Sequence, residues 1–527
     1  MIQRDPAEIN RGLEPARTAR PIPAGERIHV VGAGGAAGAA ALLLAVKVGA
    51  AGSGCDRGGP SQYTPPLVAE GIPLAWEHAP AHVASATSAL VDRLAVTKAL
   101  TAIAPDHPEL LAARAHGIPA TSVQQLIADA AATRGARLLG VAGTHGKSTT
   151  TGWVIHLLAG AGLDPSGFVG ALLSPALAGG ELPSPIRLGE GSLFVVEADE
   201  YAGNFDPYRP AIGVLLNADW DHPDVFRSLD EVIEAFEGWI RAFDGGGKPP
   251  VLVANASDPG VAALLPRLAD WSGRLVVTAL IAGGADPASE RARIEHLFAS
   301  ALGPAIGLVG RPVPGAGEGT RLEIVGLGEA PVEDASVRLP GRHNASDGLA
   351  AAGAALVAGA PVPAIVEGLA SFGGVGRRFE LKGEIGGVAV IDDYGHHPTA
   401  IAATLEAVAA RYPGRRVWAV YEPLTYHRTA ALLEHFAEVL EQADRVVIAR
   451  IHAGRDPDTT ITSADALAAA VERRGRAPAW APGSVEETAD WLADRVTPGD
   501  VVLVMGGGRS YVIADRLVAH LRARTHS

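Results

Sequence analysis

A three-part α/β protein, each part a parallel sheet flanked by helices, is predicted from three observations. Its 527 residues exceed what one hydrophobic core fills, so two or three domains are required. Short β-branched runs alternate with Ala- and Leu-rich helical stretches, the pattern of parallel strands joined by helices. Gly and Pro, 64 and 38 of them, cluster between these elements rather than inside them. Three blocks follow. The first opens at "RIHVVGAGG" and runs to Arg137; the second opens at "LLGVAGTHGKS" and ends near "LASFGG"; the third opens at "VAVIDDYGHHP" after the Gly-rich hinge "SFGGVGRRFE". Boundaries at 1–137, 138–372 and 373–527 are expected. Residues 279–321 are the least patterned and read as an insertion or surface excursion in the middle block. No internal repeat suggests a solenoid.

Composition narrows the function. The stretch Ala36 to Val46 is too short to span a bilayer, so no membrane insertion is expected. The first twenty residues, "MIQRDPAEINRGLEPARTAR", carry charges of both signs and no apolar core of a secretory signal, and a cytoplasmic location is expected. With 44 basic against 58 acidic side chains the net charge is −14, which disfavours nucleic acid and points to a small substrate. The one cysteine, Cys55, excludes an internal disulfide and any cysteine-built metal site, and reads as a small buried residue.

In the first block, "IHVVGAGGAAGAAALLLAVKVGAAGSGCD" reads as a strand running into Gly32, Gly34 and Gly35, a helix, and a second short strand ending near Ser53. Asp56 follows 24 residues after Gly32. In this Rossmann-like arrangement backbone N–H groups and the helix N-terminus meet a diphosphate, and the carboxylate reaches a ribose hydroxyl. Ala37 stands where the strict G-x-G-x-x-G pattern has its third glycine. NAD, FAD and a nucleotide sugar stay open as ligands.

The second block carries "ARLLGVAGTHGKSTTTGWVIHLL", a strand, a tight glycine turn and a helix. It is shorter than the common G-x-x-x-x-G-K-[ST] loop, since Val141 stands where that pattern begins with glycine. Gly146, Lys147 and Ser148 nevertheless present amides, an ammonium and a metal-binding hydroxyl to the β- and γ-phosphates of a nucleotide. Downstream, "SLFVVEADEYAGNF" delivers Glu197, Asp199 and Glu200 to a strand end, and "PAIGVLLNADWDHPDVF" delivers Asn217, Asp221 and His222 to another. In an open parallel sheet those ends converge on one crevice. Ser148 and Glu197, with His222 nearby, suit Mg²⁺ bridging phosphates.

The segments "GTHGKSTTT", "EADE", "NADWDH", "GRHNASDGLAA", "GVGRRFE" and "DDYGHHPTAI" resemble, in order and approximate spacing, those of the Mur ligases, from about Arg27 to Leu521. The first block is similar to the UDP-binding domain of the alanine-adding branch. The resemblance implies an N-terminal Rossmann-like UDP-binding domain (1–137), a central P-loop-type ATP-binding domain (138–372) and a C-terminal Rossmann-like amino-acid-binding domain (373–527). It implies that ATP phosphorylates the lactyl carboxylate of UDP-N-acetylmuramate and that the amine of a small amino acid, L-alanine first, displaces phosphate to form an amide for peptidoglycan precursor synthesis. ATP and Mg²⁺ are the implied cofactors, and a homodimer is the assembly considered.

The same resemblance implies site residues. Gly143, Thr144, His145, Gly146, Lys147, Ser148, Thr149, Asn344, Asp347, Arg378 and Asp393 would bind ATP. Gly32, Gly34, Gly35 and Asp56 would bind the UDP-sugar, and Tyr394, His397 and Arg428 the amino acid. Ser148, Glu197 and His222 would hold the metal. Lys147, His145, Glu197, His222, Arg378, His396 and His397 are the implied catalytic set.

Two departures from the family pattern stand out. The nucleotide segment usually reads H-N-x-x-N, and here ends in Asp347, an acceptor-only carboxylate when ionised. The amino-acid segment usually carries Q-P-H-R, an aromatic, then hydroxyl-Arg-Thr. Here Tyr421 to Thr429 keeps Pro423, Tyr426, Arg428 and Thr429 but has Glu422, Leu424 and Thr425 at the other polar positions. Two alternatives therefore accompany the alanine-adding reading: a ligase that joins a recycled tripeptide to the same sugar nucleotide, and a catalytically weakened nucleotide-sugar-binding protein. A dehydrogenase built on the first block would leave the phosphate loop without a task.

Overall fold

The computed structural model of the chain describes residues 5–302, 305–314, 319–454, 456 and 458–525. Three sheets follow one another along the chain. The first has five parallel strands, in spatial order Leu74–Ala75, Ala51–Cys55, Arg27–Val31, Arg93–Val96 and Ala120–Ser122. Strand order reverses at Arg27–Val31, so the turn at Gly32 opens at a topological switch point. The helix Ala36–Lys47 starts there and buries Leu42, Leu43 and Leu44. Its close approach to the strand end depends on Gly38, where a Cβ would lie 2.0 Å from the Gly32 carbonyl oxygen. The third glycine of the fingerprint is therefore Gly38, one place beyond Ala37, because the helix packs through that residue.

The second sheet has ten strands. Seven run parallel in the order Ile306–Pro312, Arg274–Leu280, Val251–Asn255, Ile212–Leu215, Arg137–Ala142, Leu193–Glu197 and Ser166–Leu173. Antiparallel strands close both edges: Thr320–Val325 and Val332–Val337 on one side, Ser184–Arg187 on the other. These strands are near-continuous Val, Ile and Leu runs because helices cover the sheet. The helix Lys147–Gly160 seats buried Trp153 against Phe372, ring centroids 5.0 Å apart. Residues 279–321 are a regular part of this sheet rather than an excursion. They end the strand Arg274–Leu280, form the helix Pro287–Leu302 and supply the strand Ile306–Pro312. Residues 303–304 and 315–318 of that stretch lie outside the described residues. The weak pattern arises because the helix is charged on its outer face and buries only a few residues, Ile294 and Phe298 among them.

The third sheet has six strands in the order Glu380–Ile385, Val388–Asp393, Asp500–Gly506, Arg416–Glu422, Arg445–Ala449 and Ala479–Gly483. All pairs but the first are parallel. The strand ends that carry Asp393 and Glu422 thus point the same way. Among the described residues no helix is long and apolar enough to cross a membrane.

Candidate active site

The phosphate loop is built by two glycines. Gly143 has φ +144° and a Cβ there would lie 3.0 Å from Leu216; Gly146 has φ +80° and caps the helix Lys147–Gly160. Only glycine enters this region without cost. The loop is clamped from the neighbouring strand end by Asn217, whose Oδ1 accepts from the His145 amide at 2.8 Å and whose Nδ2 donates to the His145 carbonyl at 3.1 Å. Two residues on, the Asp219 amide donates to Thr144 Oγ1 at 2.9 Å.

Lys147 donates to the Gly143 carbonyl at 2.7 Å and to Glu200 Oε2 at 2.8 Å. Burial opposes its charge, but Glu200 and Asp199 outweigh that, and its pKa is raised. Burial also pushes Glu200 up, to about 7. Ser148 Oγ donates to Glu197 Oε1 at 3.1 Å, and Glu197 Oε2 accepts from the Gly170 amide at 2.6 Å. The donor atoms of Asp199, Glu200 and His222 lie within 4.8 Å of one another. His222 sits at φ +54°, a strained conformation of the kind that gathers at functional sites.

The third domain roofs this floor. Arg378 Nη2 donates to Ser148 Oγ at 3.1 Å and its guanidinium lies 4.9 Å from the Tyr394 ring centre. The turn that carries it is held by Asp393, which accepts from the amides of Phe379 at 2.8 Å and Gly395 at 2.7 Å. The rings of His397 and His145 lie 4.8 Å apart with Asp219 beside both, 3.8 Å and 3.5 Å away. Burial lowers His397 to about 4 and, with Arg428, holds His396 well below the usual imidazole range. Asp219 is itself lowered to about 2: burial works the other way, and hydrogen bonds from His145 and Thr399 prevail. Tyr63 of the first domain has its phenol raised to about 12 by burial and by Tyr394, against the opposing charge of Arg377 and Arg378.

One cavity of about 690 Å³ joins these groups. It is lined by Thr144, His145, Gly146, Lys147, Ser148, Thr149, Glu197, His222, Asn344, Asp347, Arg378, Asp393, Tyr394, His396, His397 and Arg428. Gly143 is not among the lining residues, and its carbonyl takes Lys147. Gly32, Gly34, Gly35 and Asp56 do not line it; they form a separate turn in the first domain. There Asp56 Oδ2 accepts from the Gly34 amide at 2.9 Å and Oδ1 from Gly58 at 2.8 Å, so this carboxylate fixes the turn.

Arg428 differs from its expected place as an open receptor for a carboxylate. It is buried, its Nη2 donates to Asp221 Oδ1 at 2.7 Å, and the same nitrogen lies 3.2 Å from His222 Nδ1. Asp221 is held well below the usual carboxylate range because Arg428 and His222 outweigh its burial. Arg428→Ala takes from that buried carboxylate its guanidinium partner, leaving the His222 amide at 2.6 Å, and should cost about 3 kcal/mol of stability, by the usual penalty for breaking a buried ion pair. The loss should shrink as pH falls far enough to protonate Asp221; a melting-temperature difference that is the same at pH 4 and pH 8 contradicts this. Thr425 is also committed, at φ +64°, with its hydroxyl capping the Arg428 amide at 3.4 Å. His427 pairs with Asp456 at 3.0 Å and does not line the cavity.

The sequence placed Glu200, Asn217 and Asp221 at the crevice without assigning them a ligand and did not single out Asp219, although acidic and amide residues mark the ends of both strands that flank Arg137–Ala142. Arg377 was passed over beside Arg378. It is the buried brace of the roof, donating to the Gly506 carbonyl at 2.8 Å and to Ser510 Oγ at 2.7 Å.

Asp347 lies against the phosphate loop: a Cβ on Gly146 would fall 2.5 Å from its Oδ2. Burial raises its pKa to about 7, with Arg378 opposing the shift. Below that pH the protonated acid donates a hydrogen bond as an amide would; above it the charge opposes a nucleotide anion. ATP should therefore bind more weakly than to Asp347→Asn at pH 8, by about 1 kcal/mol for one neutral hydrogen bond, and nearly equally at pH 6. Titration calorimetry at both pH values checks this, and a difference independent of pH contradicts it.

Three α/β domains, with a phosphate loop in the second roofed by arginine and imidazoles of the third, and the relatives below make this an ATP-dependent ligase. The chain belongs to the Mur ligase family. Residues 27–134 match the Mur ligase family catalytic domain, 141–355 the Mur ligase middle domain and 377–508 the Mur ligase glutamate ligase domain. It is 32% identical over 503 residues to a UDP-N-acetylmuramate–L-alanine ligase of Geobacter sp. (strain M21), covering 95% of this chain and 99% of that one. It is 36% identical over 422 residues to the ligase of the same name from Nitratidesulfovibrio vulgaris, covering 80% and 84%. Its fold matches a crystal structure of the UDP-N-acetylmuramate–alanine ligase of Thermotoga maritima with a TM-score of 0.73 at 22% identity, over 95% of this chain and all of that one.

Proposed function

We propose that this chain joins the lactyl carboxylate of UDP-N-acetylmuramate to L-alanine through an acyl phosphate, with ATP as phosphoryl donor, in peptidoglycan precursor synthesis in the cytoplasm. The observation that carries the reading is the Arg378 to Ser148 contact, which closes the third domain over the phosphate loop. The names of the Geobacter and Nitratidesulfovibrio relatives support the substrates. Residues 1–137 would take the UDP-sugar at Gly32, Gly34, Gly35 and Asp56, residues 138–372 ATP, and residues 373–527 the amino acid. A homodimer is the assembly we propose to test.

The chain's own residues account for the chemistry. A carboxylate is a poor electrophile, and phosphorylation supplies its leaving group. Two anions must meet, and Lys147 is placed to exchange Glu200 for the β- and γ-phosphates, while Arg378 covers them from the other domain. Ser148, Glu197 and His222 fit Mg²⁺, since the hydroxyl and carboxylate already meet and both offer hard oxygen. When bound, the ion would neutralise charge on the transferring group. His396 and His397 line the cavity and are held neutral by burial, so they can hydrogen-bond to the bound groups without adding charge. Closure of the roof excludes water from the acyl phosphate.

Tyr394, His397 and Arg428 remain the proposed amino-acid contacts. Because Arg428 already holds Asp221 and His222, Arg428→Ala should lower kcat as well as raise the KM for the amine, the latter roughly tenfold or more, as for a charge-assisted hydrogen bond. Phosphate release measured with ATP, Mg²⁺ and UDP-N-acetylmuramate against a panel of amino acids tests the proposal. L-Alanine should be best, with glycine and L-serine behind; release independent of any amine contradicts it.

A further inference from the structure

A second cluster of metal-ligating side chains lies in the first domain, among the residues beneath the Gly32 turn. His29 is in the strand Arg27–Val31, Cys55 ends the strand Ala51–Cys55, His82 ends the turn Pro80–His82, and Glu109 opens the helix Pro108–Ala115. Their donor atoms lie within 4.8 Å of one another. Cys55 Sγ is 3.3 Å from His29 Nε2 and 3.1 Å from Glu109 Oε1; Glu109 Oε1 is 2.7 Å from His82 Nδ1 and 3.8 Å from His29 Nε2. We propose that the first domain holds one divalent transition-metal ion, zinc by donor chemistry, on His29 Nε2, Cys55 Sγ, His82 Nδ1 and Glu109 Oε1.

Three independent features support this. The spacing is right. Donors about 2.0–2.3 Å from a tetrahedral ion stand roughly 3.3–3.8 Å from each other, and two contacts of Glu109 have to open, those to His82 at 2.7 Å and to Cys55 at 3.1 Å. The outer partners are also right. His29 Nδ1 lies 2.8 Å from Ser53 Oγ, and donating to it leaves the Nε2 lone pair facing Cys55, the arrangement that orients metal-bound imidazoles. Finally, the cluster is not satisfied as a hydrogen-bond network. Glu109 is fully buried, yet its Oε2 has no hydrogen-bond partner; His107, 5% exposed, lies 3.1 Å from that oxygen with neither ring nitrogen hydrogen-bonded. Buried carboxylates and imidazoles are normally paired, and a cation on Oε1 would compensate the charge that these contacts leave.

A single cysteine rules out an all-cysteine site, but a mixed set needs only one thiolate, and Cys, His and carboxylate together favour a borderline ion such as zinc over magnesium. The Cys55 thiol would lose its proton on binding; burial and Glu109 hold its pKa high otherwise. The ion would tie two strands, a turn and a helix together directly below the nucleotide-sugar turn. The Cys55 carbonyl already accepts from the amides of Gly32 at 2.9 Å and Ala33 at 3.1 Å, so the brace reaches that turn through one residue.

Cobalt substitution tests this, because Cys55 is the chain's one cysteine and any thiolate-to-cobalt charge-transfer band must come from it. The full chain, stripped with chelator and loaded with Co²⁺, should show that band, and Zn²⁺ should displace it with one equivalent per chain. Cys55→Ser should abolish the band. His82→Ala, at a partly exposed position, should weaken zinc binding at least roughly tenfold and remove the zinc-dependent rise in melting temperature. Native circular dichroism of the stripped His82→Ala chain separates lost binding from lost fold. Absence of the band in the folded wild-type chain, or unchanged zinc affinity in folded His82→Ala, overturns the proposal.

Discussion

Lys147→Ala should abolish phosphate release while the chain stays folded. The ammonium is the one cation of the phosphate loop, set at the N-terminus of the helix Lys147–Gly160 and kept charged by Glu200 and Asp199. Removing a single preorganised stabiliser of transition-state charge costs roughly 10²–10³-fold, and a full charge facing two phosphates should exceed that. Folding should be less affected than the buried pair suggests. Burial raises Glu200 even with Lys147 opposing the shift, so without the lysine it takes up a proton more readily and the orphaned charge disappears. The destabilisation should therefore be smaller at pH 6 than at pH 8. Near-wild-type phosphate release by a folded Lys147→Ala would mean that the loop serves another purpose.

Glu197→Ala and His222→Ala should each lower kcat by roughly 10²-fold and raise the Mg²⁺ concentration needed for half-maximal rate, as loss of a metal contact does. Their structural consequences differ. Glu197 bridges the Ser148 hydroxyl and the Gly170 amide, so its loss also loosens the loop from the adjacent strand. His222 is held in left-handed geometry, where alanine is no less strained, so its loss removes the ring's contact with Arg428 without relieving the backbone. Both variants should accordingly be somewhat less stable than the wild-type chain. An unchanged Mg²⁺ dependence in both would remove these residues from the metal site.

What the sequence showed of this site was whatever is local along the chain. The glycine turn after Ala142, the carboxylates after Val196 and the imidazoles after Asp393 are each written within a few residues of a strand end, and parallel topology brings such ends together. Pairings across the fold were not legible. Arg428 looked like a free receptor because its partner Asp221 lies 207 residues away, and no periodicity links them. Gly38 was missed because its role is a distance to the Gly32 carbonyl rather than a motif position. The helix Pro287–Leu302 was overlooked because too few of its residues face the core to give a clear period. The cluster around Glu109 escaped for the same reason as Arg428: His29, Cys55, His82, His107 and Glu109 come from four separate segments, and Cys55 alone looked inert.

The most direct test of the proposed function is a competition. The chain, ATP, Mg²⁺ and UDP-N-acetylmuramate are incubated with equal concentrations of L-alanine and the recycled tripeptide, and the products are weighed by mass spectrometry alongside phosphate release. The account predicts mainly the L-alanyl adduct, with one phosphate released per adduct. A predominantly tripeptide adduct would contradict the choice of amine, and absence of any adduct from a chain that still binds the sugar nucleotide would contradict the ligation itself.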